Sequence, residues 1–138
     1  MDGLISVGIS VVSAHLKAAN NQVQLYDTTF YDTGKETGDF FREQLGMIKP
    51  VDLSKHGVYR KKISLNDLQK DFRRKVIEYN PGLIGFSVLE ITYDQGLDLA
   101  KSIEDLPNPV IFGGIYPTFA PKIVLKESCI DMVCEGEG

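Results

Sequence analysis

Four apolar runs in this chain end in residues whose types suit joint chemistry. Ile84-Gly85-Phe86-Ser87-Val88-Leu89 brings a hydroxyl at Ser87, and Val110-Ile111-Phe112-Gly113-Gly114 brings paired glycines. Leu25-Tyr26-Asp27-Thr28-Thr29-Phe30 adds a carboxylate and two hydroxyls, and the short run Met132-Val133 leads into Cys134-Glu135-Gly136-Glu137-Gly138. Open parallel α/β sheets bind ligands beyond the carboxyl ends of their strands, so such loops at several strand ends point to one pocket. A serine hydroxyl there either caps nearby backbone or hydrogen-bonds a ligand. Paired glycines either make a tight turn or let a ligand lie against bare backbone. The next segment, Ile115-Tyr116-Pro117-Thr118-Phe119-Ala120-Pro121, is apolar and carries two prolines, which suits a wall for a large flat ligand better than a solvated loop.

Other chemistries lack their residues. Neither Gly-x-Gly-x-x-Gly nor Gly-x-x-x-x-Gly-Lys-Ser/Thr occurs, which disfavours the nucleotide folds built on those loops. Asp27 has the place of a phosphoacceptor aspartate, but no paired acidic residues precede it. Cys129 and Cys134 have no Cys-x-x-Cys spacing and no neighbouring His, so they read as small apolar side chains rather than zinc or iron–sulfur ligands. With no sign of export, a disulfide framework is not expected. The formal net charge of −4 argues against nucleic acid, whose phosphates are met by Lys and Arg. Two basic clusters, Tyr59-Arg60-Lys61-Lys62 and Arg73-Arg74-Lys75, read as solvated surface. No apolar run is long enough to span a bilayer and no signal peptide is visible, so no membrane partner and a cytoplasmic location are expected.

These loops need elements to hold them. At 138 residues and 43% apolar, the chain is expected to be one domain with an ordinary core. Leu65, Leu68, Phe72, Val76 and Tyr79 recur at steps of three and four, which predicts a helix over 65–79 with Ser64 as N-cap and Asn80-Pro81-Gly82 as stop. Leu83 to Leu89 predicts a strand covered on both faces. Thr92-Tyr93-Asp94-Gln95 reads as a capping box that opens a helix carrying Leu99, Ile103 and Leu106 to Pro107-Asn108-Pro109, and the strand Val110 to Phe112 follows. Strand, helix, strand makes a βαβ unit.

The start is ambiguous: Ile5, Val7, Ile9 and Val11 alternate as in a strand, while Ile5, Ile9, Val12, Leu16 and Ala19 share a helical face. A helix stopping at Asn20-Asn21, followed by a strand Val23 to Tyr26, suits the rhythm better, but it leaves the sheet without its usual first strand. An exposed strand edge then invites pairing, and a homodimer is expected for the isolated chain. Residues 33–63, with scattered glycines, Pro50 and a helical patch around Phe40 to Leu45, read either as a flap beside the pocket or as a surface insertion.

Taken together these residues resemble the cobalamin-binding domain found at the N-terminus of many radical S-adenosylmethionine enzymes. Ser13-Ala14-His15-Leu16-Lys17 with Val23-Gln24-Leu25-Tyr26-Asp27 look like the family's first helix and second strand. Ser87-Val88-Leu89 matches its Ser-x-Leu element, and Gly113-Gly114 through Pro121 and Ile130 through Glu137 complete the likeness. The resemblance implies an α/β, Rossmann-like three-layer sandwich with flavodoxin-like order and a mostly parallel sheet, spanning 1–138. It also implies cobalamin, with Ser87 bonding the cofactor's tail and Gly113-Gly114 leaving room for it. The cofactor-binding residues it implies are Asp27, Thr28, Thr29 and Phe30 in one loop, and Ser87, Val88, Leu89, Thr92 and Tyr93 in the next. Gly113, Gly114, Ile115, Tyr116 and Pro117, with Glu135 and Gly136, make up the rest of that implied set.

Thr29 stands where related cobalamin domains carry a cobalt-ligating His, and neutral Thr is no useful cobalt ligand. The resemblance therefore implies either cobalamin without His ligation or a domain that has lost cobalamin and serves as an interaction module. No catalysis is expected of this chain alone. S-adenosylmethionine and an iron–sulfur cluster belong to a radical S-adenosylmethionine catalytic domain expected downstream, since no Cys-x-x-x-Cys-x-x-Cys motif is present.

Overall fold

The computed structural model describes residues 7–34, 42–49, 52–57 and 59–136. Readings that fell on Ile5, Gly38, Phe40, Pro50, Glu137 and Gly138 lie outside the described residues. The chain divides into two compact units, Met1–Leu65 and Asn66–Gly138.

The first unit begins with helix α1, Val7–Ala18. Its stop is at Asn20, whose φ of 61° takes the left-handed conformation that asparagine tolerates. The Asn21 and Asn20 amides donate to the Leu16 and Lys17 carbonyls at 2.9 and 3.0 Å, which together form a Schellman motif. The helical reading of the start therefore holds over 7–18. The expected strand at Val23 to Tyr26 does not form: residues 21–28 have no regular structure, and the first strand is β1, Tyr31–Asp32. An Asx turn follows at Asp27, whose carboxylate accepts both the Thr29 amide and the Thr29 hydroxyl. β1 pairs in parallel with β2, Lys61–Lys62, and a 3₁₀ turn at Leu53–His56 lies between them.

Helix α2, Leu65–Tyr79, starts where the apolar period predicts and stops at Asn80, again with positive φ (48°). The second unit continues with β3 (Ile84–Ser87), α3 (Glu90–Lys101), β4 (Val110–Gly113), two short helices α4 (Ile115–Phe119) and α5 (Pro121–Val124), and β5 (Met132–Val133). β3, β4 and β5 lie side by side in that order, all parallel, with Ser87 opposite Gly113 in register. This is a Rossmann-like α/β arrangement of parallel strands and intervening helices.

One face of this sheet carries the core. Ile84, Val110 and Phe112 are buried, as are Leu68, Phe72 and Val76 of α2 and Tyr93, Leu99 and Ala100 of α3. Phe86 stacks on Phe112 at 4.7 Å, and Phe72 and Tyr93 meet these rings edge-on at 5.7 and 6.1 Å. Such ring pairs add about 1 kcal/mol each beyond the area they bury. Gly96 lets α3 approach closely, because a Cβ there would lie 2.9 Å from Val88 Cγ1.

The expectation that β3 is covered on both faces fails. Gly85 and Ser87 are exposed because a glycine and a serine offer that face little to bury. Across the chain, Arg73 of α2 forks onto Asp105 and donates to the Ser102 carbonyl at 2.8 Å, so this member of a supposedly solvated basic cluster ties α2 to the end of α3. No helix among the described residues is long and apolar enough to cross a membrane.

Candidate functional site

The site is built at the carboxyl ends of β3, β4 and β5. Ser87 closes β3 with its side chain on the exposed face, next to Gly113. The ladder runs on past the strand ends: the Val88 amide donates to the Gly113 carbonyl and the Cys134 amide to the Phe112 carbonyl, each at 2.9 Å. A Cβ on Gly113 would meet only the Cys134 Cβ, at an ordinary 3.5 Å. Ser87, Gly113 and Cys134 thus form a row across the sheet, and the missing side chain leaves a notch between a hydroxyl and a thiol. Cys134 is half-buried, whereas Cys129 is buried and its thiol pKa is pushed up by that burial.

Gly113 and Gly114 have different roles. Gly114 has φ +102°, and a Cβ there would sit 2.6 Å from the Val88 carbonyl oxygen and 3.1 Å from its nitrogen. Glycine at 114 is therefore what lets the turn after β4 touch the turn after β3. Sequence alone treats the pair as one element, and only the backbone separates the strict position from the tolerant one.

The loop between β3 and α3 starts a helix three residues earlier than the capping-box reading placed it. Leu89 is the N-cap residue, and Thr92 is the third helical residue, whose hydroxyl accepts the Leu89 amide at 2.9 Å. Leucine has no side-chain acceptor to complete a reciprocal box, so Thr92 supplies one half of it. Val88 is buried and Leu89 is exposed. Tyr93 is buried against Tyr116, with ring centroids 4.6 Å apart, and its hydroxyl has no protein partner. Burial pushes the Tyr93 phenol pKa up.

Ile115 to Phe119, expected as a proline-stiffened loop, is instead helical. Pro117 falls in the first turn, where its missing N–H breaks no helical hydrogen bond, and it is fully buried. Pro121 begins α5 in the same way. Ile115 is 60% and Phe119 84% exposed, one helical turn apart, so this apolar wall faces outward. Sequence reasoning missed Gly96 and Thr118. For Thr118 the available signal was its spacing of four residues from Gly114, which matters only once the segment is helical. Glu135 and Gly136 are exposed, and Gly136 has φ +83°.

Asp27, Thr28, Thr29 and Phe30 belong to the first unit. Thr29 donates its hydroxyl to the Asp27 carboxylate at 2.6 Å, so the hydroxyl is engaged within a local turn. His15 lies in α1 with Nδ1 2.9 Å from the Val11 carbonyl, and His56 lies in the 3₁₀ turn. The first unit also holds an open depression of about 420 Å³ lined by Asp32, Thr33, Gly34, Lys62, Ile63 and Ser64. No cluster of three or more metal-ligating side chains occurs among the described residues.

A family model for the B12 binding domain matches residues 52–138, which include every strand-end residue of the second unit. The chain belongs to the B12-binding domain family. Membership supports cobalamin binding, and the matched span leaves Asp27 to Phe30 outside it. No curated protein and no solved structure matches the chain.

Proposed function

We propose that this B12-binding domain holds cobalamin, without His ligation to cobalt, for a radical S-adenosylmethionine catalytic domain encoded downstream, and catalyses nothing by itself. The observation that carries the reading is the notch at Gly113, flanked by the Ser87 hydroxyl in register on an exposed sheet face. These residues fit the group: the absent side chain at Gly113 would leave room for the cofactor's tail, and the Ser87 hydroxyl would be a hydrogen-bond partner for it. Bound cobalamin supplies a cobalt-held methyl group for transfer, while the protein binds and orients it. Gly114 holds the two flanking turns together, and Leu89, Ile115, Tyr116 and Pro117 frame the strand ends with Val88, Thr92 and Tyr93 behind them. Glu135 and Gly136 follow on the next loop.

Thr29 in place of a ligating His, and the separate engagement of His15 with Val11, support the His-free state. The likeness of Gly113 to Pro121 and of Ile130 to Glu137 to radical S-adenosylmethionine enzymes supports the catalytic partner and its iron–sulfur cluster. The test is uptake of hydroxocobalamin, read as colour retained through gel filtration and as protection of half-buried Cys134 from alkylation, with buried Cys129 as the unreactive internal control. Ser87→Leu should weaken uptake about tenfold by removing the hydroxyl and filling the notch. His15→Ala and His56→Ala should leave the bound spectrum unchanged. A colourless protein with Cys134 equally reactive in both states would defeat the proposal. The open reading frame around this domain should carry Cys-x-x-x-Cys-x-x-Cys downstream, and its absence there would remove the radical partner.

A second reading, an interaction module that has lost cobalamin, is favoured by the exposure of Ile115 and Phe119 beside the strand ends. Such outward apolar residues suit a protein interface. The outer edge of β3, which among the described residues pairs with β4 alone, is also a template for a second copy of the chain. Sedimentation at several concentrations should then show association, and a monomer at all of them would exclude the homodimer.

A further inference from the structure

Thr118 joins the two loops that close the site. Its hydroxyl donates to the Gly114 carbonyl at 2.8 Å, and the same oxygen accepts the Gly136 amide at 3.0 Å. The Thr118 amide also donates to the Gly114 carbonyl, at 3.2 Å. Donors therefore run one way, from the Gly136 N–H through the Thr118 hydroxyl to the Gly114 carbonyl, and each bond in such a chain polarises the next.

The two ends of this chain are held very differently. Gly114 is fixed by backbone contact with Val88, whereas a Cβ on Gly136 would meet nothing within 4 Å. The loop after β5 carries no side chain at Gly136 to set its position. The hydroxyl carries the register of the Gly114 turn across to it. Thr118 is itself half-buried, which shields its bond to the Gly114 carbonyl from competition by water, while the bond from Gly136 lies at the surface.

We propose that Thr118 is a latch: it sets Glu135 and Gly136 relative to the Gly114 turn, and by doing so positions the loop after β5 for a ligand at the strand ends. Thr118 acts through that loop and is a positioning residue. Its ligand rests on the cobalamin reading above, while the latch itself does not.

The experiment measures amide hydrogen exchange at Gly136 in the ligand-free protein, and hydroxocobalamin titration, for the wild type, Thr118→Val and Thr118→Ser. Valine removes the hydroxyl at nearly constant shape, and serine restores it without the methyl. Thr118→Ala is the second hydroxyl-free variant, used where valine does not fold. Gly136 exchange should rise about tenfold in the hydroxyl-free protein and return to within about threefold of wild type in Thr118→Ser, with cobalamin affinity following the same order. Equal Gly136 exchange in all proteins overturns the latch. Faster exchange with unchanged affinity overturns the positioning role. Failure of the wild type to take up hydroxocobalamin defeats the cofactor reading and the positioning role with it, and Gly136 exchange still decides the latch separately.

Discussion

The two units of this chain bury their apolar residues to very different degrees. Every buried hydrophobic side chain among the described residues lies in the second unit, from Leu68 to Ile130, while α1 in the first unit buries none and leaves Val7, Val11, Val12 and Leu16 exposed. A helix can follow a good local pattern and still contribute little, since most helical stability in proteins comes from tertiary packing of the apolar face. The strand-end site sits on the unit that has a core, which suits a site that must hold its groups in fixed positions.

The largest test of this contrast is Phe112→Ala, which removes a ring at 0% exposure from between Phe86 and Tyr93. It should cost about 3–5 kcal/mol in denaturant unfolding, against less than about 1 kcal/mol for Leu16→Ala. Similar losses for the two variants would erase the distinction.

Next in size is a pair of glycines that share positive φ but differ in surroundings. Gly114→Ala forces a Cβ into the Val88 backbone as well as straining φ, and should cost about 2–4 kcal/mol. Gly57→Ala meets open space at φ +70° and should cost about 1 kcal/mol, from strain alone. Gly113→Ala, whose Cβ makes an ordinary contact, should fall below both, and a cost equal to that of Gly114→Ala would contradict the division of roles within the pair.

A smaller effect of opposite sign is expected at Tyr93. Its hydroxyl is buried without a protein partner, so Tyr93→Phe should be neutral or stabilise by up to about 1 kcal/mol, read as an unchanged or raised midpoint of unfolding. A clear loss would mean that the hydroxyl is engaged.

The smallest effect belongs to the exposed fork between Arg73 and Asp105. The hydrogen bond from Arg73 holds the Asp105 carboxyl below its usual pKa, so its contribution is present above the ordinary carboxylate range and is lost as pH falls through the lowered value. Asp105→Asn should therefore lower the unfolding midpoint slightly at about pH 7 and not at about pH 2. Equal effects at both pH values would assign the loss to packing.

Local pattern was enough to read α2, the strand–helix–strand unit from Ile84 to Gly113, and the placing of Ser87 and the paired glycines at strand ends. Those features depend on periodicity and on stop signals within a few residues of each position, and the family likeness of the strand-end motifs rests on the same short stretches. The strand expected at Val23 to Tyr26 rested on the βαβ rhythm, and no described strand pairs with those residues, whereas the Asx turn that follows was written locally, in Asp27 and Thr29. Only the tertiary structure decided that Gly114 rather than Gly113 admits no side chain, that Gly85 and Ser87 face outward, and that Thr118 connects Gly114 with Gly136. The reason is physical: each of these is a contact between segments distant in the chain, Val88 with Gly114 or Thr118 with Gly136, and no propensity or period at either residue encodes how closely the other will approach.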